Sequence, residues 1–228
     1  MKFWKLAVVI IVFSMASNAS SAIITFDDNT DYIVSETHPI ISGGFEISLE
    51  PSSADFSNSS TTRVISGGTG CGPECVYNGT RYLYHLHSSI TDAVGGVIFT
   101  PVSGEVFSLI SFDGAELHLD RDAETATSIF VVGNQVNGNV VTTEFILDWV
   151  NDGPGPLDDF QNFNLPDTFT NLTSVMFDGV GSAIEPQSGW FGMDNVEVSM
   201  ASPVPVPTAV WLFSSGLIVL IGFARKKA

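Results

Sequence analysis

Cys71 and Cys75 are the only cysteines in the 228-residue chain, four apart in Cys71-Gly72-Pro73-Glu74-Cys75. In an oxidising compartment they would close a small disulfide loop. A loop that short adds little chain entropy, so its role would be to pin the 67–73 turn. The other reading adds His85 and His87, which share one face of an alternating segment, to make a Cys2His2 zinc set, although Cys-x3-Cys suits zinc only loosely. A second constellation is acidic. Asp194 precedes an alternating run and, by period 2, falls on the face of Val196, Val198 and Met200, so it is expected to point inward. A buried carboxylate needs partners. Calcium, held by several oxygens, is one solution and would recruit Asp27 or Asp28 beside the first strand; backbone N–H groups at a turn are the other. Asp158 and Asp159, with Phe160 and Phe163, form a third candidate ligand or calcium site in a Gly- and Pro-rich stretch, 151–166, that otherwise reads as a solvated crossover loop. Tyr77, Tyr82 and Tyr84, with Trp149 and Trp190, would stack on sugar rings if exposed, or form the core and rim of the fold if not.

Enzyme chemistry finds little footing. The chain has no Gly-x-Ser-x-Gly elbow, no His-Glu-x-x-His, no P-loop and no Rossmann fingerprint. A glycosidase needs two carboxylates across a cleft, but with 25 acidic residues no pair among Asp158, Asp159, Glu185 and the rest stands out. The expected protein is therefore not an enzyme. Its charge is also unevenly spread. Residues 23–201 hold all 25 carboxylates against Arg63, Arg81 and Arg121, with no lysine. That surface excludes nucleic acid, whose phosphates require a basic partner.

The elements that must position these side chains are strands. Residues 45–50 alternate apolar and polar without a break, the pattern of a strand buried on one face. Further strands are expected at 76–87, 96–100, 106–112, 127–132, 139–147, 172–177 and 195–200. Between or beside them stand Gly43-Gly44, Gly67-Gly68, Asn78-Gly79, Gly95-Gly96, Asp113-Gly114, Asn137-Gly138 and Asp178-Gly179, residues that supply the positive φ of tight turns. Asn137-Gly138, flanked by β-branched segments, is the strongest hairpin signal. No stretch of ten or more residues between 23 and 199 carries helical periodicity. About ten short strands predict an all-β fold, a single jelly-roll-like β-sandwich over 23–199; a parallel β-helix is the alternative, without a visible repeat.

The two ends read as routing signals. Lys2 and Lys5, an apolar run over 6–13 and small residues up to Ala22 describe a secretory signal peptide over 1–22. Cleavage after Ala22 would leave Ser20 and Ala22 at the positions signal peptidase inspects; cleavage after Ala19 is the alternative. At the other end a proline-rich linker, 200–207, favours extended polyproline II. An uncharged stretch, 208–224, follows, long enough as a helix to rise about 25 Å, and a basic tail, 225–228, would stay in the cytoplasm.

The residues Val204-Pro205-Val206-Pro207-Thr208, then Trp211-Leu212-Phe213, Ser215-Gly216, an apolar span and Arg225-Lys226-Lys227 resemble the PEP-CTERM sorting signal in its Val-Pro-Leu-Pro-Ala form. Val206 stands where leucine is commoner and Thr208 where alanine is; the match covers about a tenth of the chain. The resemblance implies a substrate of an exosortase-type membrane protease in a Gram-negative bacterium. Such a protein would be held for a time at the inner membrane, then placed on the cell surface or in the extracellular matrix. An uncleaved tail anchor is the alternative. The segment 192–199 also resembles, over about eight residues, the last strand of carbohydrate-binding jelly rolls, where an Asp-Asn pair helps hold a structural calcium. Together these imply a structural or adhesive matrix protein that binds polysaccharide, with a secreted polysaccharide hydrolase as the alternative.

Overall fold

A computed structural model describes residues 20–29, 32–34, 38–50, 61–66, 75–86, 96–117, 125–150, 158–181 and 189–200. All belong to one compact unit, Ser20–Ala201. The expected signal peptide (apart from Ser20 to Ala22 of the first strand), the linker beyond Met200, the membrane span and the basic tail lie outside the described residues, as do Cys71, His87, Arg121 and Glu185. No helix among the described residues is long and apolar enough to cross a membrane.

The fold is an all-β sandwich, with thirteen strands among the described residues: β1 (Ser20–Ile24), β2 (Tyr32–Val34), β3 (Ile40–Ser42), β4 (Phe45–Leu49), β5 (Thr61–Ser66), β6 (Arg81–Leu86), β7 (Val97–Pro101), β8 (Phe107–Glu116), β9 (Ser128–Gln135), β10 (Val140–Ile146), β11 (Gln161–Asn164), β12 (Leu172–Val180) and β13 (Phe191–Met200). One layer runs β2-β5-β6-β13-β8-β11, with β1 continuing along β13 beyond β6. The other runs β3-β4-β7-β12-β9-β10. The two are stitched by the pair Leu172↔Phe107 of β12 and β8. Every pairing between these strands is antiparallel, and most join strands far apart in sequence, β1 with β13 and β7 with β12 among them, which is the jelly-roll-like pattern.

The inner faces meet in a phenylalanine-rich core. Phe45 of one layer meets Phe107 of the other edge-on at 4.9 Å, and Phe112 meets Phe177 at 5.1 Å. Phe99, Phe169 and Phe191 are also buried. Each such ring contributes about 1.5–3 kcal/mol by leaving water, and edge-to-face pairing adds about 0.5–1.5 kcal/mol. Among the described residues this core is continuous across both layers of the unit Ser20–Ala201.

Strand alternation at 45–50 is as expected: Phe45, Ile47 and Leu49 are buried and Glu46 exposed. The hairpin at Asn137-Gly138 is present. Gly138 sits at φ 85°, its N–H donates to Gln135 O at 2.9 Å, and Gln135 N–H donates to Asn139 O at 2.9 Å. Two glycines expected at turns lie instead within strands, Gly114 in β8 and Gly179 in β12. Both allow close approach. A Cβ on Gly114 would sit 2.8 Å from Ile129 Cδ1, and one on Gly179 would sit 1.9 Å from Gly189 O. The expected loop at 151–166 also contains a strand, because β11 pairs with β8 through Phe163↔Phe112 and its phenylalanine joins the core.

At the front, β1 begins at Ser20 and pairs with β13 from Ser20↔Met200 to Ile24↔Val196. Ala22 packs against the core, and Ser21 Oγ donates to Glu197 Oε1 at 2.7 Å. Cleavage after Ala22 would remove three of these five pairs; cleavage after Ala19 would leave β1 whole.

Candidate ligand-binding face

The outer face of β6, β13, β8 and β11 is built around an irregularity in β13. Its register with β8 shifts between Asp194 and Val198, and Asn195 takes φ 47°. A β-bulge of this kind exchanges the two faces of a strand. Phe191 and Met193 face the core before it, and Val196 and Val198 after it. Asp194 therefore lies opposite the valines, on the outer face. The expectation that it shares their face is corrected here: period 2 holds only where the ladder is unbroken.

Asp194 is nonetheless 1% exposed and fully partnered. Its Oδ2 accepts from Asn78 Nδ2 at 2.8 Å and Thr80 Oγ1 at 2.9 Å, and its Oδ1 accepts from Asn195 N–H at 2.8 Å. Burial raises its carboxyl above the ordinary carboxylate range, the Asp27 charge adds to this, and the hydrogen bonds from Asn78, Asn195 and Thr80 pull it back. Asp27 reaches the site because β1 ends and β6 begins along the same edge of β13; its Oδ1 accepts from Arg81 N–H at 3.0 Å, closing that gap. Asp28, next to it, is exposed. Asp27 and Asp194 are thus neighbours. Asp27, Asp28 and Asp194 are not, among the described residues, a set whose ligand oxygens all lie within 4.8 Å of one another.

From Asp194 the polar row crosses the neighbouring strands. Asn195 Nδ2 donates to Asp113 Oδ2 at 2.8 Å, Asn162 Nδ2 donates to Asp113 Oδ1 at 2.8 Å, and Asn164 Nδ2 reaches Asn162 Oδ1 at 3.4 Å. The register sets Asp113 opposite both Asp194 and Asn162, so cross-strand neighbours build the row. Asn162, Asn164 and Thr80 are exposed. Beside the row lies a second apolar cluster of Cys75, Val76, Tyr82, Tyr84, Ala115 and Leu117, with Phe160 and Trp190 half-buried at its margin. Tyr82 meets Phe160 edge-on at 5.2 Å, and burial pushes its phenol up, with Tyr84 adding to the effect.

Tyr82 and Tyr84 are therefore buried, not open stacking platforms; Tyr77 is 37% exposed. His85 faces the other way, toward the core, with its ring 5.2 Å from Phe191, whereas Cys75 belongs to the outer cluster. Opposite faces of one sheet separate them, so the zinc reading has no geometry here. No cysteine among the described residues is free, and Cys71, the pairing partner expected for Cys75, lies outside those residues. Asn78, Thr80, Asp113 and Asn162 were not singled out as ligand residues from sequence. Each is an ordinary polar residue, and only the pairing of distant strands sets them in line.

The class so defined is a β-sandwich with an open amide–carboxylate row on one face. Among solved structures the chain is similar to a DUF4465 family protein from Bacteroides caccae, with TM-score 0.52, 12% identity, and coverage of 80% of this chain and 100% of that one. Fainter likenesses are to an arabinose-bound MgGH51 α-L-arabinofuranosidase (TM-score 0.44, 11% identity, 81% of this chain and 27% of that one) and to the family 11 carbohydrate-binding module of a cellulosomal cellulase of Clostridium thermocellum (TM-score 0.33, 14% identity, 75% of this chain and 95% of that one). The first speaks for a shared fold; the other two are too distant to carry an argument. No family model and no curated protein matches the chain.

Proposed function

We propose that this is an exported, surface-sorted β-sandwich protein that binds polysaccharide in the extracellular matrix without cleaving it. The observation that carries the binding reading is the outer-face row of Asn78, Thr80, Asp113, Asn162, Asn164 and Asn195, bordered by Phe160 and Trp190. Sugar hydroxyls both donate and accept, so amides and carboxylates held in fixed geometry match them, and half-buried aromatic rims suit the apolar faces of sugar rings. Export and sorting rest on the signal-like ends: the protein would be cut by signal peptidase, held by its C-terminal span and released to the surface by an exosortase-type protease. The acidic, lysine-free domain repels like-charged polymers, so acidic polysaccharides would need divalent cations as bridges.

A glycan array and affinity electrophoresis with the Ser20–Ala201 unit test the reading. Retention by at least one polysaccharide, without new reducing ends, is expected, and Asn162→Ala should weaken it several-fold with an unchanged melting temperature. Release of reducing ends would establish the hydrolase alternative instead. Absence of retention on every polysaccharide would end the binding reading.

A further inference from the structure

Three carboxylates converge at the end of the sandwich where β8 finishes. Glu116 is the last residue of β8, Asp148 follows β10, and Asp159 precedes β11. One oxygen from each lies within 4.8 Å of the other two. Glu116 and Asp159 are each 2% exposed, and Asp148 is exposed. A cluster of acids alone would say little, but the Glu116 carboxylate carries a second observation. Its Oε1 accepts from Trp149 N–H at 2.6 Å, while its Oε2 is buried and has no hydrogen-bond partner among the described residues. A buried, unpartnered carboxylate oxygen beside two further carboxylates is costly twice over, through desolvation and through like-charge repulsion.

The sequence offers few cations to relieve it. Between residues 23 and 201 there are three arginines and no lysine. Arg63 is on β5 and Arg81 opens β6, beside Asp27; Arg121 lies outside the described residues.

We propose that Glu116, Asp148 and Asp159 bind a calcium ion. The donors are all hard oxygens, which select calcium or magnesium over the softer transition metals. Calcium takes six to eight oxygens at about 2.3–2.6 Å in flexible geometry, and one oxygen from each of the three carboxylates lies close enough to the others to share such an ion. Magnesium, which demands near-ideal octahedral geometry at about 2.0–2.1 Å and parts with its water reluctantly, suits a set of protein carboxylates less well. Glu116 and Asp159 supply the buried ligands, and the exposed Asp148 closes the site on the solvent side and leaves room for water. The ion ties the end of β8 to the exit of β10 and the approach to β11, and so joins both ends of the segment that crosses between those two strands. This site is separate from the polar row and stands whether or not the domain binds polysaccharide.

The test uses the Ser20–Ala201 unit, stripped with EDTA and titrated with calcium chloride, read by native mass spectrometry and by thermal melting. One calcium per chain and a rise in melting temperature are expected. Glu116→Gln keeps the acceptor for Trp149 N–H but removes the buried charge; it should melt higher than wild type without calcium and lose the calcium response. Asp148→Asn, at an exposed position, keeps the Oδ1 acceptor for Val150 N–H and should weaken calcium binding on the order of tenfold or more, with a metal-free melting temperature no lower than that of wild type. The proposal is overturned if stripped protein takes up no calcium at millimolar concentration. It is equally overturned if both variants keep the wild-type response, or if Asp194→Asn abolishes the response while Glu116→Gln and Asp148→Asn do not. Loss of stability in Arg121→Ala together with calcium indifference would assign the neutralising charge to that arginine and also sink it.

Discussion

Burial raises the Asp178 carboxyl from 3.8 to about 7; the Glu50 charge adds to the shift, and a hydrogen bond from Gly179 N–H opposes it. Its Oδ1 has no hydrogen-bond partner among the described residues. The linkage follows from proton counting. Between about pH 4 and 7 the native state keeps a proton that the unfolded chain has released, so this group's contribution to stability falls as pH rises through that window, and the loss is complete above about 7. Asp178→Asn removes the ionisation. The variant should match wild type near pH 4 and melt above it by several degrees at pH 8, at about 2–4 °C per kcal/mol for a domain of this size. Melting curves across that range decide the matter, and equal melting temperatures at pH 8 would show that Asp178 carries no such burden. Nothing in the local sequence around Asp178 distinguishes it from other Asp-Gly pairs; burial by distant chain makes the difference.

Glycine does two different jobs at the level of the strand. Gly138 supplies positive φ in the β9–β10 hairpin, and a side chain there would meet open space. Gly179, within β12, lets the backbone at Gly189 come close enough that a Cβ would fall 1.9 Å from its carbonyl oxygen. Gly179→Ala should therefore destabilise by roughly 3 kcal/mol or more, as overpacking against backbone does. Gly138→Asn should lose under about 1 kcal/mol, since asparagine tolerates the left-handed region. Denaturant midpoints for the pair give the comparison, and a Gly179→Ala midpoint close to wild type would refute the close-approach reading. The same two-residue signal, an acid or amide followed by glycine, thus predicts a turn correctly at Asn137-Gly138 and incorrectly at Asp113-Gly114 and Asp178-Gly179. In the last two, a facing element, not the turn itself, requires the missing Cβ.

For the molecule as a whole, β1 bears on the export and sorting proposed above. Its described pairs with β13 run from Ser20 to Ile24, so of the two cuts expected for signal peptidase only the one after Ala19 leaves them all in place. The intact mass of the surface form should show Ser20 as the first residue and loss of the chain beyond the proline motif. An N-terminus at Ile23 would mean that the sandwich tolerates a shortened β1, and a retained C-terminal span would favour the tail-anchor alternative over exosortase processing.

What the amino-acid sequence determines by itself is the fold class, the Asn137-Gly138 hairpin and the acidity of the domain. All of these are written in local periodicity, turn chemistry and composition. What only the tertiary structure decides is which way Asp194 points, that Tyr82 and Tyr84 are buried, that Asp113 lines up with Asn162 and Asn195, and that Glu116, Asp148 and Asp159 meet. The physical reason is one of range. Alternation along a strand is a local code, broken by a single bulge at Asn195, whereas the juxtapositions that make sites arise from antiparallel pairing between strands remote in sequence, which no local pattern records.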